Sequence, residues 1–284
     1  MRCLVKHMFH SLLRSSDMLG TAFLKRAIQT LLCPLNYVRT REIPVLLDLI
    51  AHYMPVSEAN VLDIASPQML STHLARVNPL WKICYMNSFD REIADMDLKK
   101  ALLSLPNLVS CSLDIRQPNG FEPENFDMIV SCSVFEHIVD LDGQWGDAFA
   151  AKNVAHWLKP GGMFVLSVPF YTQAFDEYQT QPLYNDKAQK DDLFFFQRFY
   201  DPQTLYARII EPSGLNVERI TYTGERWYHE QNIRKRTAQL FDSWPVNLIL
   251  GRFFPLLSNL FLVQADNHTL LKKPYLAYVV LKKC

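Results

Sequence analysis

A chain of 284 residues, 49% hydrophobic and 20% charged, has an ordinary soluble composition and suffices for one large domain or two small ones. Lys+Arg and Asp+Glu both total 29, so the charge balance offers nothing to a nucleic acid, and none is expected as a partner. Six widely spaced cysteines lack any Cys-x-x-Cys or Cys/His cluster, which argues against a disulfide framework or a zinc site; Cys84, Cys111 and Cys132 are expected as small buried thiols.

Residues 1–58 read as an N-terminal helical segment. Apolar residues recur three and four apart (Leu12, Leu13, Leu19, Phe23, Leu24, Ile28, Leu31, Leu32), and a second helix, Ile43 to Tyr53, is closed by Met54-Pro55. Met1 to Thr30 lacks a continuous apolar core ending in a small-residue cleavage site, so it does not read as a secretory signal. Within residues 1–41, seven cations (Arg2, Lys6, Arg14, Lys25, Arg26, Arg39, Arg41) face one acid, Asp17. Such a basic amphipathic segment suits peripheral docking on an anionic membrane or, the preferred reading, folding over a cleft.

From residue 59 the pattern becomes short apolar runs alternating with helical stretches, the mark of a parallel sheet with crossover helices. The predicted strands are Asn60–Ile64, Trp81–Met86, Leu108–Leu113, Phe126–Val130, Met163–Val168, Leu215–Tyr222 and Tyr275–Leu281. Helices are expected at 69–77, 90–104, 144–158 and 201–212, the last stopped by Ser213-Gly214. The expectation is an α/β, doubly wound, Rossmann-like sheet of about seven strands over 59–284. A lid region follows the fifth strand at 169–200, and a helical insert at 225–272 precedes the last strand. The apolar stretch Val246–Val263 is interrupted by Arg252, Pro255, Ser258 and Asn259 and is short of the roughly 20 residues a span requires. A cytoplasmic protein is therefore expected.

In such a sheet a ligand lies beyond the carboxyl ends of the strands. The residues there are Asp63-Ile-Ala-Ser-Pro-Gln68, Asn87-Ser-Phe-Asp90, Asp114-Ile115 and Ser131-Cys-Ser-Val-Phe-Glu-His137, followed by Leu158-Lys-Pro-Gly-Gly162 ahead of the fifth strand. Val61–Ile64, Phe126–Ser131 with Val134–Ile138, and Leu158–Val165, in that order, resemble the class I S-adenosylmethionine-dependent methyltransferases, in particular the group that includes the quinone-pathway enzymes. The resemblance covers about 58–222 and the last strand.

That resemblance implies an enzyme transferring a methyl group from S-adenosylmethionine, with a cofactor site at Asp63, Ala65, Ser66, Asn87, Asp90, Asp114, Ile115 and Ser131. Two departures stand out. The family's first loop is glycine-rich, so that the backbone can approach the cofactor, whereas Asp63-Ile-Ala-Ser-Pro-Gln68 has no glycine. The acid that usually meets the ribose is replaced by Asn87, with Asp90 three residues on as ribose ligand or helix cap. Asp114 falls where the adenine amino group is read. His137 is the candidate base, with Glu136 orienting it or pairing with a basic residue of the N-terminal helices. Ser133 stands where relatives can place a metal-binding acid, so no metal is expected. Arg39 or Arg41 would face the cofactor's methionine carboxylate or Glu136.

Acceptor recognition is assigned to the additions: Tyr171, Tyr178, Tyr184, Arg198 and Tyr200 of the lid, of which Tyr171, Arg198 and Tyr200 form the expected acceptor pocket. The insert carries Arg226-Trp-Tyr-His229 and Arg234-Lys-Arg236 and reads as a helical cap, with a membrane-facing or homodimer surface as the alternatives. The best acceptor reading is O-methylation of a small molecule, a sugar or lipid-linked intermediate. The rival is a catalytically silent methyltransferase-like binding subunit.

Overall fold

The computed structural model describes residues 38–54, 56–118, 120–140, 143–181, 189–190, 193–225 and 254–284. The expected helices within 1–37, Tyr184 and the basic motifs at 226–236 lie outside these residues.

Helix α1 (Arg39–Tyr53) precedes five parallel strands: β1 (Asn60–Ile64), β2 (Lys82–Asn87), β3 (Leu108–Ser112), β4 (Phe126–Cys132) and β5 (Leu158–Pro169). The crossovers are α2 (Met69–Val77), α3 (Asp90–Leu103) and α4 (Gly146–Trp157). β6 (Phe175–Gln179), β7 (Gln189–Lys190) and β8 (Leu193–Phe199) form a separate antiparallel sheet in the order β6-β8-β7. Helix α5 starts at Pro202–Leu205, widens into a π turn at Tyr206–Ile210 and closes at Glu211–Ser213. β9 (Asn216–Glu225), α6 (Phe254–Phe261), β10 (Leu262–Ala265) and β11 (Lys273–Lys282) complete the described chain.

The main sheet has eight strands in the order β10-β9-β11-β5-β4-β1-β2-β3. β1 pairs in parallel with both β2 and β4, so the order reverses at β1 and opens a crevice at the carboxyl ends of β1 and β4. β11 runs antiparallel between β5 and β9. The central strands are apolar throughout because both faces are covered. One face buries Val61, Ile83, Val130 and Val165 with Ile43 and Leu46 of α1 and Leu70 and Leu74 of α2. The other buries Leu62, Ile129, Phe164 and Leu166 under Ala150, Val154 and Trp157 of α4 and Leu205 and Ile209 of α5.

Local chemistry sets the element ends. Asp201 caps α5 by accepting the Thr204 amide at 2.8 Å, Pro202 supplies the first helical turn, and Gly214 (φ 64) takes the left-handed stop position. At the start of α4, a Cβ on Gly146 would meet the Val139 carbonyl oxygen at 2.0 Å; only glycine lets the helix begin so close to the turn after β4.

Three expectations are corrected. Helix α1 begins at Arg39, a turn earlier than Ile43. The insert is not wholly helical: α6 is followed by β10, whose Leu262 to Ala265 pair with Glu225 to Tyr222 of β9 and extend the sheet edge. Asp90 is not a cap; Phe89 holds that place and Asp90 is already helical.

The small sheet is fixed to the body by a buried charge network. Asp147 on α4 accepts from Arg198 Nη1 (3.1 Å), Arg208 Nε (2.8 Å) and the Tyr200 hydroxyl (2.8 Å). Arg198 also reaches Asp176 (2.9 Å) and Asp140 (3.4 Å), while Arg208 bonds Asp140 and stacks over the Trp145 ring. Deleting one member of such a set leaves the others charged and unmatched. Asp147→Ala is expected to cost about 3–5 kcal/mol in urea unfolding, and Tyr200→Phe about 1 kcal/mol. A loss below about 1 kcal/mol for Asp147→Ala would show that solvent already compensates the network.

Candidate functional site

The turn from β1 into α2 is built around Asp63. Its fully buried carboxylate accepts the Ser66 amide at 3.2 Å and the Ser71 hydroxyl, and burial pushes its pKa up to about 6. The next turn residue, Ala65, has φ 47, the left-handed region that glycine favours, and its amide donates to the Met86 carbonyl at 2.7 Å. The glycine-free loop therefore keeps a glycine-like backbone. Ser66 is buried, and its hydroxyl oxygen accepts the Cys132 amide at 3.0 Å, tying β1 to the end of β4. Ser66 thus closes the turn and does not present its hydroxyl to a ligand, a correction to the sequence expectation.

Along the crevice, Asn87 turns inward: Nδ2 donates to the Tyr85 hydroxyl and Oδ1 accepts the Phe89 amide, both at 3.0 Å. Asp90 is exposed and accepts from the Ser112 hydroxyl at 2.8 Å. Asp114 is half-buried. Burial opposes its charge, but the Arg116 guanidinium, donating Nε at 3.0 Å and Nη2 at 2.7 Å, holds its carboxyl below the usual range. An adenine amino group would share that carboxylate with Arg116. Ile115 is buried, and its carbonyl accepts from Asn153 at 2.7 Å. Ser131 is fully buried and its hydroxyl has no hydrogen-bond partner.

Glu136 and His137 occupy a single 3-10 turn, Phe135–His137, beyond β4. His137 Nδ1 lies 2.6 Å from the Phe196 carbonyl oxygen, which fixes the proton on Nδ1 and leaves Nε2 as the acceptor nitrogen. Burial pushes this imidazole down to about 4. Glu136 Oε1 is 3.8 Å from Nε2, Oε2 has no partner, and burial pushes the carboxyl up to about 8. The environments thus invert the usual order of a glutamate and a histidine.

Sequence reasoning missed the group that organises this end. Glu42 on α1, 1% exposed, accepts the Ser133 hydroxyl at 2.5 Å, the Ser167 hydroxyl at 2.6 Å and Arg39 Nη1 at 2.7 Å. Ser133 directly follows β4 and Ser167 lies near the end of β5, so one carboxylate fastens α1 across the ends of both strands. Arg39 also reaches the Cys132 sulfur at 3.2 Å and bears on Glu136, whereas Arg41 points to Asn259 of α6 at 3.2 Å. An acid in a first helical turn ordinarily reads as a solvated dipole partner, so nothing in the sequence marks Glu42.

The expected acceptor residues adjoin through the backbone, the Tyr171 amide donating to the Tyr200 carbonyl at 2.8 Å, but their side chains have separate partners. Arg198 and Tyr200 are buried and consumed by the Asp147 network, whereas Tyr171 packs edge-on against Phe175. Cys132 is buried, and Cys84 and Cys111 are half-buried with their sulfurs 3.4 Å apart. Among the described residues, no cluster of three or more His, Cys, Asp or Glu is placed to hold a metal, and no helix is long and apolar enough to cross a membrane.

No family model matches the chain. It is similar to coclaurine N-methyltransferase bound to N-methylheliamine and SAH (15% identity, 85% of this chain and 70% of that one, TM-score 0.53). It is also similar to an S-adenosylmethionine-dependent methyltransferase of Clostridium acetobutylicum ATCC 824 (13% identity, 88% and 92%, TM-score 0.51). Both likenesses are of fold: the chain shares the Rossmann-like α/β architecture of these solved methyltransferases. The [4+2]-cyclase SpnF shares the fold as well (12% identity, 86% and 82%, TM-score 0.52). The ribosomal RNA small subunit methyltransferase G of Burkholderia vietnamiensis (strain G4 / LMG 22486) is 32% identical over 119 residues, 41% of this chain; the match spans about half the length of that relative, 48%.

The inverted pair gives a pH signature. A carboxyl whose folded pKa lies above its unfolded value favours the folded state while protonated, so stability falls as pH rises between the two. For Glu136 that window runs from 4.5 to about 8; for Asp63 it runs from 3.8 to about 6. His137 acts oppositely, adding stability as pH rises from about 4 to 6.5. Between pH 6.5 and 8 Glu136 therefore dominates, with a slope of at most about 1.4 kcal/mol per pH unit. Denaturant unfolding at both pH values should show the intact chain losing up to about 2 kcal/mol, and Glu136→Gln losing much less. Equal losses would place the Glu136 carboxyl in an ordinary, hydrated setting.

Proposed function

We propose that this chain transfers a methyl group from S-adenosylmethionine to a hydroxyl of a small-molecule acceptor. The carrying observation is Ala65 at φ 47 in the β1–α2 turn, at the point where the strand order reverses. That turn keeps the backbone shape by which a glycine loop lets a ligand approach closely, although the glycines are gone.

The residues at the crevice fit the cofactor. The unpartnered Ser131 hydroxyl, the Asp114 carboxylate and the apolar Ile115 offer, in order along the strand ends, a polar, an acceptor and an apolar contact. S-adenosylmethionine supplies an electrophilic sulfonium methyl; the chain has to align the acceptor, exclude water and take up the acceptor proton. Glu136 is better tuned for that proton than His137. A carboxyl near 8 accepts a proton close to neutrality, and an imidazole near 4 does not. His137, anchored to Phe196, orients Glu136 and takes the positioning role.

O-methylation of a sugar or lipid-linked intermediate remains the acceptor reading. The rRNA methyltransferase relative names a nucleic acid, but equal totals of 29 cations and 29 acids give this chain no matching charge excess. A second reading has its own observations: Ser66 and Asn87 are spent on internal hydrogen bonds, and a [4+2]-cyclase shares the fold. On that reading the chain is a binding subunit or catalyses another reaction.

Isothermal titration with S-adenosylhomocysteine should give a micromolar dissociation constant, about −8 kcal/mol. Ala65→Gly should bind at least as tightly and gain up to about 1 kcal/mol of stability by relieving the left-handed alanine, while Ala65→Val should lose both. In a methyl-transfer assay Glu136→Gln should lower kcat by about 10²–10⁴ with cofactor affinity unchanged. No heat with the intact chain would transfer the case to the second reading.

A further inference from the structure

Cys84 on β2 and Cys111 on β3 hold their sulfurs 3.4 Å apart, and both residues are half-buried. Register places Cys84 opposite Val109 and Cys111 opposite Met86, so the two side chains meet across a diagonal of the strand pair. They pack at the margin of the core that α4 and α5 cover. Val109, two residues before Cys111 and so on the same face, is 51% exposed. Helices α2, α3 and α4 join the other parallel strands, but the described residues between β3 and β4 form no helix. A small solute can therefore reach this pair, whereas Cys132 is buried.

Two thiols at this distance share a proton. The Cys84 S–H donates to the Cys111 sulfur, which lowers the Cys111 pKa; the same bond, together with burial, pushes the Cys84 thiol up. Cys111 is thus the nucleophile and Cys84 the thiol placed to resolve it. β3 ends its side of the main sheet, and among the described residues no strand lies beyond it to resist a small movement toward β2. Ser112 of β3 sits opposite Asn87, and Asp114 follows two residues later, so such a movement reaches the crevice.

We propose that Cys84 and Cys111 form a redox-active dithiol that a hydroperoxide closes into a reversible disulfide, shifting β3 and weakening cofactor binding. The Cys111 thiolate attacks one peroxide oxygen, forming a sulfenic acid and releasing hydroxide, which takes up the proton that Cys111 had lost. The Cys84 sulfur then attacks the sulfenic sulfur; the S–S bond forms, and the hydroxyl leaves with the Cys84 proton as a second water. The two thiols give up two electrons in all, and one peroxide is reduced to water. Sulfurs 3.4 Å apart must close to about 2 Å, and across a diagonal this strains the bridge, which makes it easy for a thiol to reduce. The disulfide stands on the geometry alone; its effect on the cofactor rests on the methyltransferase reading.

Peptide mapping of the full chain after hydrogen peroxide treatment, with free thiols blocked by iodoacetamide, tests it. A peptide linked through Cys84 and Cys111 should appear and be lost again with dithiothreitol, and Cys111→Ser should abolish it. The oxidised chain should bind S-adenosylhomocysteine about tenfold more weakly than the reduced chain, with recovery on reduction, while Cys111→Ser binds alike in both conditions. Amide exchange at 108–117, faster in the oxidised chain, reads the strand movement without any ligand. Should Cys111→Ser fail to fold, Cys84→Ser takes its place. Sulfinic or sulfonic acid at Cys111 with no link to Cys84 would overturn the dithiol, and a link that leaves affinity and exchange unchanged would overturn the switch. A reversible link with faster exchange, in a chain that binds no S-adenosylhomocysteine in either state, would support the dithiol and overturn the methyltransferase reading.

Discussion

The carboxylate of Glu42 is the constraint on which the ligand end of this molecule depends. A charge at 1% exposure is tolerable only when its lone pairs are filled, and here two strand-end hydroxyls and one guanidinium fill them. The consequence is mechanical: α1 cannot lift from the sheet without stranding that charge. Arg39, held by the same carboxylate, lies beside Cys132 and under the influence of Glu136, so the position of the helix and the ionisation of the candidate base are coupled. Burial alone would keep Glu136 protonated to a high pH. A backbone hydrogen bond at Glu136 and, after it, the nearby Arg39 cation moderate this, Glu42 opposes them, and the carboxyl is left near 8, a value suited to proton uptake.

A second set of buried charges acts on the other side of the crevice. Arg198 of β8 joins Arg208 of α5 through the shared Asp147 of α4 and so fixes the small antiparallel sheet against the body. That sheet in turn supplies the Phe196 carbonyl that sets the His137 tautomer. Charge networks on both flanks thus hold the turn after β4 rigid, as a site that must present one carboxyl in one orientation requires.

The main sheet was legible because buried parallel strands write themselves as uninterrupted apolar runs; all seven expected runs correspond to strands. β10 was hidden inside an apolar stretch, since a short edge strand and a buried helix share the same composition. The Ala65 turn was legible as a place but not as a conformation: a positive φ at alanine appears only in the backbone. Arg198 and Tyr200 read as pocket groups because they are aromatic and basic beside a site, yet their partners Asp140, Asp147 and Asp176 come from elsewhere in the chain. Glu42 was illegible for the same reason. Its partners Ser133 and Ser167 lie 91 and 125 residues away, and Pro44 beside it looks like an ordinary helix start.

The central claim is that cofactor and closing helix meet at the carboxyl ends of β1, β2, β3 and β4. Hydrogen–deuterium exchange with and without S-adenosylhomocysteine tests it most directly. Slowed exchange should be confined to the β1–α2 turn at 64–70, the strand ends at 86–90 and 113–117, and α1. Unchanged exchange in all four, or protection centred on the β6-β8-β7 sheet instead, would contradict it.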